Sequence, residues 1–252
     1  MNPPHKHQFS SDHRDGRFVK MQNMESFRLD PARVRDISGD LLDAHGRLQV
    51  APAAVLAETS AEERMLFGVQ HGVYGLPTAE LCDFLRRRIG ARTAIEIGAG
   101  TGVLARTLGI VATDNRQQED AAVRAHYRSL GQPTVPYGAD VKKLDAHRAV
   151  EQHRPQVVIA CWVTHRFDPM APDARGSETG VDEAAIIASC EEYIFIGNEH
   201  VHRNKPIWKL PHEKLTPTWL YSRAINGTRD FISIWRSGHR PSNTGTALRT
   251  PE

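Results

Sequence analysis

The chain has little with which to build a covalent scaffold. Its 252 residues hold three cysteines, Cys82, Cys161 and Cys190. Three cannot all pair, and none stands at the short spacing of a metal-ligand motif, so a disulfide framework is excluded and a reducing, cytoplasmic compartment is expected. Charge of one sign is also missing. With 32 Lys+Arg against 30 Asp+Glu the net charge is +2, which removes the electrostatic case for a dedicated nucleic-acid binder. No apolar run approaches the length that spans a bilayer, and Met1–Arg14 lacks the apolar centre of a signal peptide, so no membrane partner is expected. What is present, a hydrophobic fraction of 40%, is enough for a real core and argues against wholesale disorder.

Composition along the chain divides it. Residues 1–30 are polar and charged with few apolar anchors and read as a flexible arm, in which His5 and His7 are more simply tail residues than metal ligands. Residues 31–76 read as a helical extension or lid, with an imperfect apolar stripe over Val50–Phe67. The main domain is expected over 77–239 and a polar tail over 240–252. A helix should begin after the cap Thr78, carry Leu81, Phe84, Leu85 and Ile89 at helical spacing, and stop at Gly90.

Beyond Gly90 short apolar strands alternate with helices: strands at Thr93–Ile97, Ile110–Thr113, Thr134–Pro136, Gln156–Cys161 and Glu192–Gly197, and helices at Val103–Leu108, Gln117–Leu130, Lys142–His153 and Asp182–Ser189. Apolar runs of this kind, without strict alternation, predict a doubly wound, mostly parallel α/β sheet with both faces covered. Thr218–Arg223 and Arg229–Arg236, around Asn226-Gly227, predict a C-terminal antiparallel hairpin.

The most informative stretch is Ala94–Leu108, where Gly98, Gly100 and Gly102 turn a first strand into a helix. Glycines there permit a tight turn and close approach of backbone to a ligand. A dinucleotide fingerprint would need its third glycine at position 103, which is Val103, so a nicotinamide oxidoreductase is disfavoured. Glu96, two residues before the turn, would oppose a pyrophosphate and attract an ammonium or sulfonium centre.

The run Glu96-Ile97-Gly98-Ala99-Gly100-Thr101-Gly102 resembles the first motif of class I S-adenosylmethionine-dependent methyltransferases. The resemblance covers roughly Pro77 to Arg236 and implies a seven-stranded Rossmann-like sheet, S-adenosylmethionine as cofactor and S-adenosylhomocysteine as product. It implies that Gly98 and Gly100 lie against the methionine part and Glu96 near its amino group. Asp114, with Asn115 beside it, would hold the ribose hydroxyls. Asp140, after the third strand, would accept from the adenine amino group between Ala139 and Val141. Cys161 and Trp162, at the end of the fourth strand, complete the cofactor set, although Cys161 also reads as a small buried hydrophobe and Trp162 as an aromatic wall for a substrate.

The loop after the fourth strand, Ala160–Asp168, lacks the Asp/Asn-Pro-Pro-aromatic motif of enzymes that methylate base amines or glutamine amides. A small-molecule or protein oxygen or nitrogen acceptor is therefore expected. His165, which can exchange a proton near neutral pH, is the candidate base, with Glu199 and His200 as further catalytic candidates lining the substrate. With 13 His in the chain, the clustering of His200 and His202 beside Glu199 and Asp168 reads more simply as chance than as a metal site. Phe167–Gly180 and Asn204–Trp219 are expected to overhang the crevice, with Tyr74 closing its N-terminal side. A degenerate methyltransferase fold that only binds or docks is the alternative. Homo-oligomerisation is left open.

Overall fold

The computed structural model describes residues 33–237; the expected arm 1–30, His5, His7 and the tail 240–252 lie outside them. Nine strands and eight α-helices follow in the order α1 Ser38–Leu41, α2 Ala53–Ala57, α3 Ala61–Gln70, β1 Gly75–Leu76, α4 Ala79–Ile89, β2 Ala94–Ile97, α5 Val103–Leu108, β3 Val111–Asp114, α6 Ala121–Ser129, β4 Lys142–Lys143, α7 Ala146–His153, β5 Val157–Cys161, α8 Glu183–Ser189, β6 Glu192–Asn198, β7 Glu213–Leu215, β8 Tyr221–Ser222 and β9 Asp230–Arg236 among the described residues.

Seven of the strands form one sheet in the order β4-β3-β2-β5-β6-β9-β7. The first five are parallel, and β9 runs antiparallel to both β6 and β7. This is the doubly wound α/β fold that the alternating pattern predicts. Its two faces follow from the period of a strand. Val158, Ala160, Tyr193 and Phe195 point to one side, against Ala149 and Val150 of α7 and Ile186 of α8. Val157, Ile159, Ile194 and Ile196 point to the other, against Leu81, Leu85 and Ile89 of α4. Both faces are dry, so β5 and β6 read as continuous apolar runs.

Several boundaries were set by chemistry that periodicity does not register. The expected helix over Val50–Phe67 is two helices, because Ser60 and Glu63 form a capping box that starts α3 afresh. Thr78 caps α4 by accepting the Leu81 N–H at 3.1 Å, and Gly90 ends it at a positive φ of 59°, both at the positions expected. The expected helix over Lys142–His153 begins only at Ala146, capped by Asp145. Its first two residues instead add the edge strand β4, with Thr113 opposite Lys142 and Asp114 opposite Lys143. Thr134–Pro136 is not a strand, and the third parallel strand is β4.

The C-terminal antiparallel pair exists, but its arms are β7 and β9. Residues 218–223 do not supply the second arm: β8 pairs instead with β1, Gly75 opposite Ser222 and Leu76 opposite Tyr221. That small sheet fastens the helical segment, whose Ile37, Leu41, Leu56, Phe67 and Leu76 pack with Val103 at the start of α5. No helix among the described residues is long and apolar enough to cross a membrane.

Candidate functional site

In an open parallel sheet, ligands collect beyond the carboxyl ends of the strands where the strand order reverses. Here that point lies between β2 and β5, and a cavity of about 500 Å³ opens there, of a size that suits a small-molecule ligand. Its floor is the turn after β2. Gly98, Gly100 and Gly102 all have positive φ, at 60°, 54° and 71°. A Cβ on Gly98 would stand 2.5 Å from Val163 Cγ1, so glycine is required twice over, by backbone angle and by space.

Asp114 fixes that turn from the end of β3. Its Oδ2 accepts the Gly100 N–H at 3.0 Å and its Oδ1 accepts the Arg116 N–H at 2.7 Å. Burial raises its pKa, opposed by those two hydrogen bonds. Each carboxylate oxygen keeps a second lone pair for a ligand hydroxyl. Asn115 also lines the cavity, and its Nδ2 donates to the Thr179 carbonyl at 3.1 Å. Thr179 Oγ1 also donates to Gln117 Oε1, so residues 178–181 are tied over the cavity from above.

Glu96 is 2% exposed and has an unexpected task. The helix α5 starts at Gly102, which has no side chain to cap it, and Glu96 Oε2 reaches across to accept the Ala105 N–H at 2.9 Å. Burial pushes its pKa up to about 8, with Asp114 adding to the effect. At neutral pH the carboxyl mostly keeps its proton. The expected electrostatic attraction for a cation is thus opposed by the cost of charging a carboxyl buried this deeply.

Gly98, Gly100, Cys161 and Trp162 complete the sequence-derived residues that the structure gathers around this cavity with Glu96, Asp114 and Asn115. Desolvation holds the Cys161 thiol well above its ordinary range, so it is an inert packing group. Trp162 adopts a φ of 60°, rare for a bulky residue, and its ring stands 6.1 Å from that of Tyr74. Tyr74 OH lies 2.9 Å from Tyr127 OH, and Gln118 Nε2 donates to Tyr127 OH at 3.1 Å, which closes the N-terminal wall.

Ala139, Asp140 and Val141 are not brought to the cavity lining. They precede β4, and both Asp140 oxygens accept from Arg106 Nη1, at 2.7 and 2.8 Å. The residues that do follow β4 and line the cavity are Leu144, Asp145 and Ala146. Sequence reading missed them because it set the third strand at Thr134–Pro136. The available signal was the helix cap at Asp145, which marks where the strand must already have ended.

A second cavity of about 390 Å³ shares Tyr74 and Trp162 with the first and contains His165. His165 Nε2 lies 3.1 Å from the Ala174 carbonyl, which can only accept, so the neutral ring carries its proton on Nε2 and leaves the Nδ1 lone pair free. Burial, and then the charge of Lys205, lower its pKa. His202 is the buried neighbour: its ring meets Trp162 edge-on at 5.1 Å, and burial takes its pKa down to about 3.

Glu199 and His200 line neither cavity. Glu199 pairs with Lys214 at 2.8 Å, which lowers its pKa, and the His200 side chain is exposed. Of the segments expected to overhang the crevice, 178–180 does so. Trp208 and Trp219 do not: Trp208 packs against Phe231 and Trp235, and Trp219 against Phe84. Among the described residues no three His, Cys, Asp or Glu side chains are placed to hold a metal ion.

No family model matches the chain, and no curated protein does. Solved structures with a similar chain path include WbdD, at 13% identity over 61% of this chain and 37% of that one, with a TM-score of 0.34. The chain thus spans well under half the length of WbdD. Others are a SAM-dependent O-methyltransferase of Thermotoga maritima, at 12% identity over 72% of this chain and 73% of that one with a TM-score of 0.35, and a SAM-dependent methyltransferase of Agrobacterium tumefaciens, at 10% identity, 62% and 60%, and 0.30. The sheet order, with the glycine turn at its reversal point, defines a Rossmann-like doubly wound α/β fold with a seven-stranded, mostly parallel sheet.

Proposed function

We propose that the chain transfers a methyl group from S-adenosylmethionine to an oxygen or nitrogen of a small-molecule or protein acceptor. The observation that carries the reading is the Asp114–Gly100 hydrogen bond, which presents a positive-φ glycine turn and a ligand-accepting carboxylate together at the floor of the cavity at the sheet's reversal point. The residues suit the cofactor. The glycine turn leaves backbone room for the methionine part, Asp114 and Asn115 offer acceptors and a donor for ribose hydroxyls, and Asp145, two residues beyond β4 and capping α7 through its Oδ1, offers its Oδ2 on the adenine side in place of Asp140. Bound there, the cofactor supplies a methyl group on a positively charged sulfur.

The chain's own part is positioning and exclusion of water. Tyr74, Trp162 and Thr164 line both cavities, so the two adjoin, and His165 of the second, neutral with its Nδ1 lone pair free, takes the proton that an attacking hydroxyl or amine must lose. The test is calorimetric titration of the full chain with S-adenosylhomocysteine, with NADH as control. Saturable one-site binding of the first alone is expected; binding of neither sinks the reading and favours a module that docks without catalysis.

A further inference from the structure

The second cavity has a chemical character of its own. Three arginines, Arg175, Arg203 and Arg223, line it, and among the described residues no aspartate or glutamate does. None of the three has a carboxylate partner among the described residues. In a chain whose opposite charges are nearly balanced, three unneutralised guanidinium groups around one concavity need an explanation. Of the acids near them in sequence, Glu199 is already held by Lys214 and the buried Glu183 by Lys205, while Asp173 and Glu178, either side of Arg175, form no ion pair with any of the three.

Each guanidinium keeps most of its donors. Arg203 Nη1 donates to the His200 carbonyl and Arg223 Nη1 to the Gly68 carbonyl at 3.4 Å, which uses one of five N–H groups in each case. Arg223 also lies over the Tyr74 ring, 3.7 Å from its centroid, which fixes the guanidinium plane against the wall shared with the first cavity. A planar fork held in this way matches the geometry of a carboxylate or phosphate.

We infer that this cavity binds a small organic anion, its carboxylate or phosphate on Arg175, Arg203 and Arg223 and its body against Tyr74 and Trp162. The inference rests on the methyl-transfer reading only for the further step that this anion is the acceptor. Its acidic group, held at the arginine side, leaves the body of the molecule toward Trp162 and His165, where the proton acceptor and the shared wall lie.

The test follows the Trp162 indole N–H resonance of the full chain, assigned with Trp162→Phe, with benzoate, phenyl phosphate and neutral benzamide as probes. Benzoate or phenyl phosphate should shift it saturably, benzamide binding about tenfold more weakly or worse, and the better of the two anions names the acidic group. The exposed double change Arg175→Gln with Arg203→Gln should weaken the anions by about tenfold or more while S-adenosylhomocysteine binds as before. Equal binding of benzoate, phenyl phosphate and benzamide, no saturable shift, or indifference to the arginine changes overturns the anion site. In those cases calorimetric binding of S-adenosylhomocysteine still decides the methyl-transfer reading by itself. Should the double variant fail to fold, the comparison of charged and neutral probes on the unchanged chain decides alone. Charge-dependent anion binding without S-adenosylhomocysteine binding keeps the site and removes the methyl-transfer reading.

Discussion

The Glu96 carboxyl accepts the Ala105 backbone N–H at 2.9 Å, and so a strand residue caps the helix that follows it. Gly102, the residue at the cap position, has no side chain for this. The glycine that frees the turn for a ligand thus leaves an orphan donor, and Glu96 satisfies it from a site where its own charge is costly.

That arrangement has a pH signature. The folded-state pKa of Glu96, about 8, lies above its ordinary value of 4.5, so its contribution to stability is full below about pH 4.5 and is lost as pH rises through 8. Glu96→Gln keeps an oxygen for Ala105 and has no charge to bury. The variant should gain on the parent between pH 5 and 8, by on the order of a few kcal/mol at the top of that range. Urea denaturation at several pH values checks this, and a constant difference between the two proteins would refute it. Glu96→Ala, which orphans the N–H, should cost about 1–3 kcal/mol at pH 5.

Gly98→Ala should destabilise by roughly 2–5 kcal/mol, because the new methyl meets Val163 Cγ1 and the backbone sits at positive φ. Adding Val163→Ala relieves the clash and leaves the angle. The pair should recover about 1–2 kcal/mol of the loss after allowing for the Val163 change alone. A double-mutant cycle by thermal melting measures it; strict additivity would mean the turn moves away freely.

Asp114→Ala removes the acceptor for both Gly100 and Arg116. A fold loss of about 1–3 kcal/mol is expected, which leaves the chain folded, and S-adenosylhomocysteine affinity should fall about tenfold or more. Circular dichroism and calorimetry separate the two. Unchanged affinity would remove Asp114 from the ligand site.

Lys205 and Glu183 form an ion pair with side-chain exposures of 1% and 0%, and Tyr193 OH donates to the same carboxylate at 2.7 Å. Lys205→Met strands the carboxylate and should cost about 3–5 kcal/mol. Lys205→Met with Glu183→Gln keeps an acceptor for Tyr193 without a charge and should regain most of it. Chemical denaturation of the two variants tests this, and equal losses in both would show that packing rather than charge sets the cost.

His165 should give methyl transfer an acid limb with its midpoint below 6.5, since burial and Lys205 both depress its pKa. Below that midpoint the ring is protonated and cannot accept the acceptor's proton. His165→Gln should abolish the limb and slow the reaction by about 10²–10⁴-fold. Rate profiles from pH 5 to 9 check it; a limb that persists in the variant belongs to another group.

The helices α4, α5 and α8 and the strands β2, β3, β5 and β6 were readable because each is a local pattern: a cap, a run of apolar residues, a glycine where the chain must turn. β4 was not. Lys142 and Lys143 are exposed and charged, and only the unpaired edge of β3 makes them a strand. That short segment shifts the residues presented to the cavity from Asp140 to Asp145. The likeness of residues 218–223 to a hairpin arm failed for a related reason: pairing follows whichever edge is free, and for Tyr221 that edge is Leu76.

By itself the sequence determined the doubly wound sheet, the glycine turn and the carboxylates around it, since these depend on periodicity and on backbone angles that few residues tolerate. Tertiary structure alone decided which carboxylates face the cavity and which are spent as caps or salt bridges. It also placed Arg175, Arg203 and Arg223, separated along the chain, around one concavity that no acid among the described residues lines. The division has one physical cause. Backbone geometry is set by neighbours in sequence, whereas the charge, burial and partner of a side chain are set by whatever the fold brings beside it.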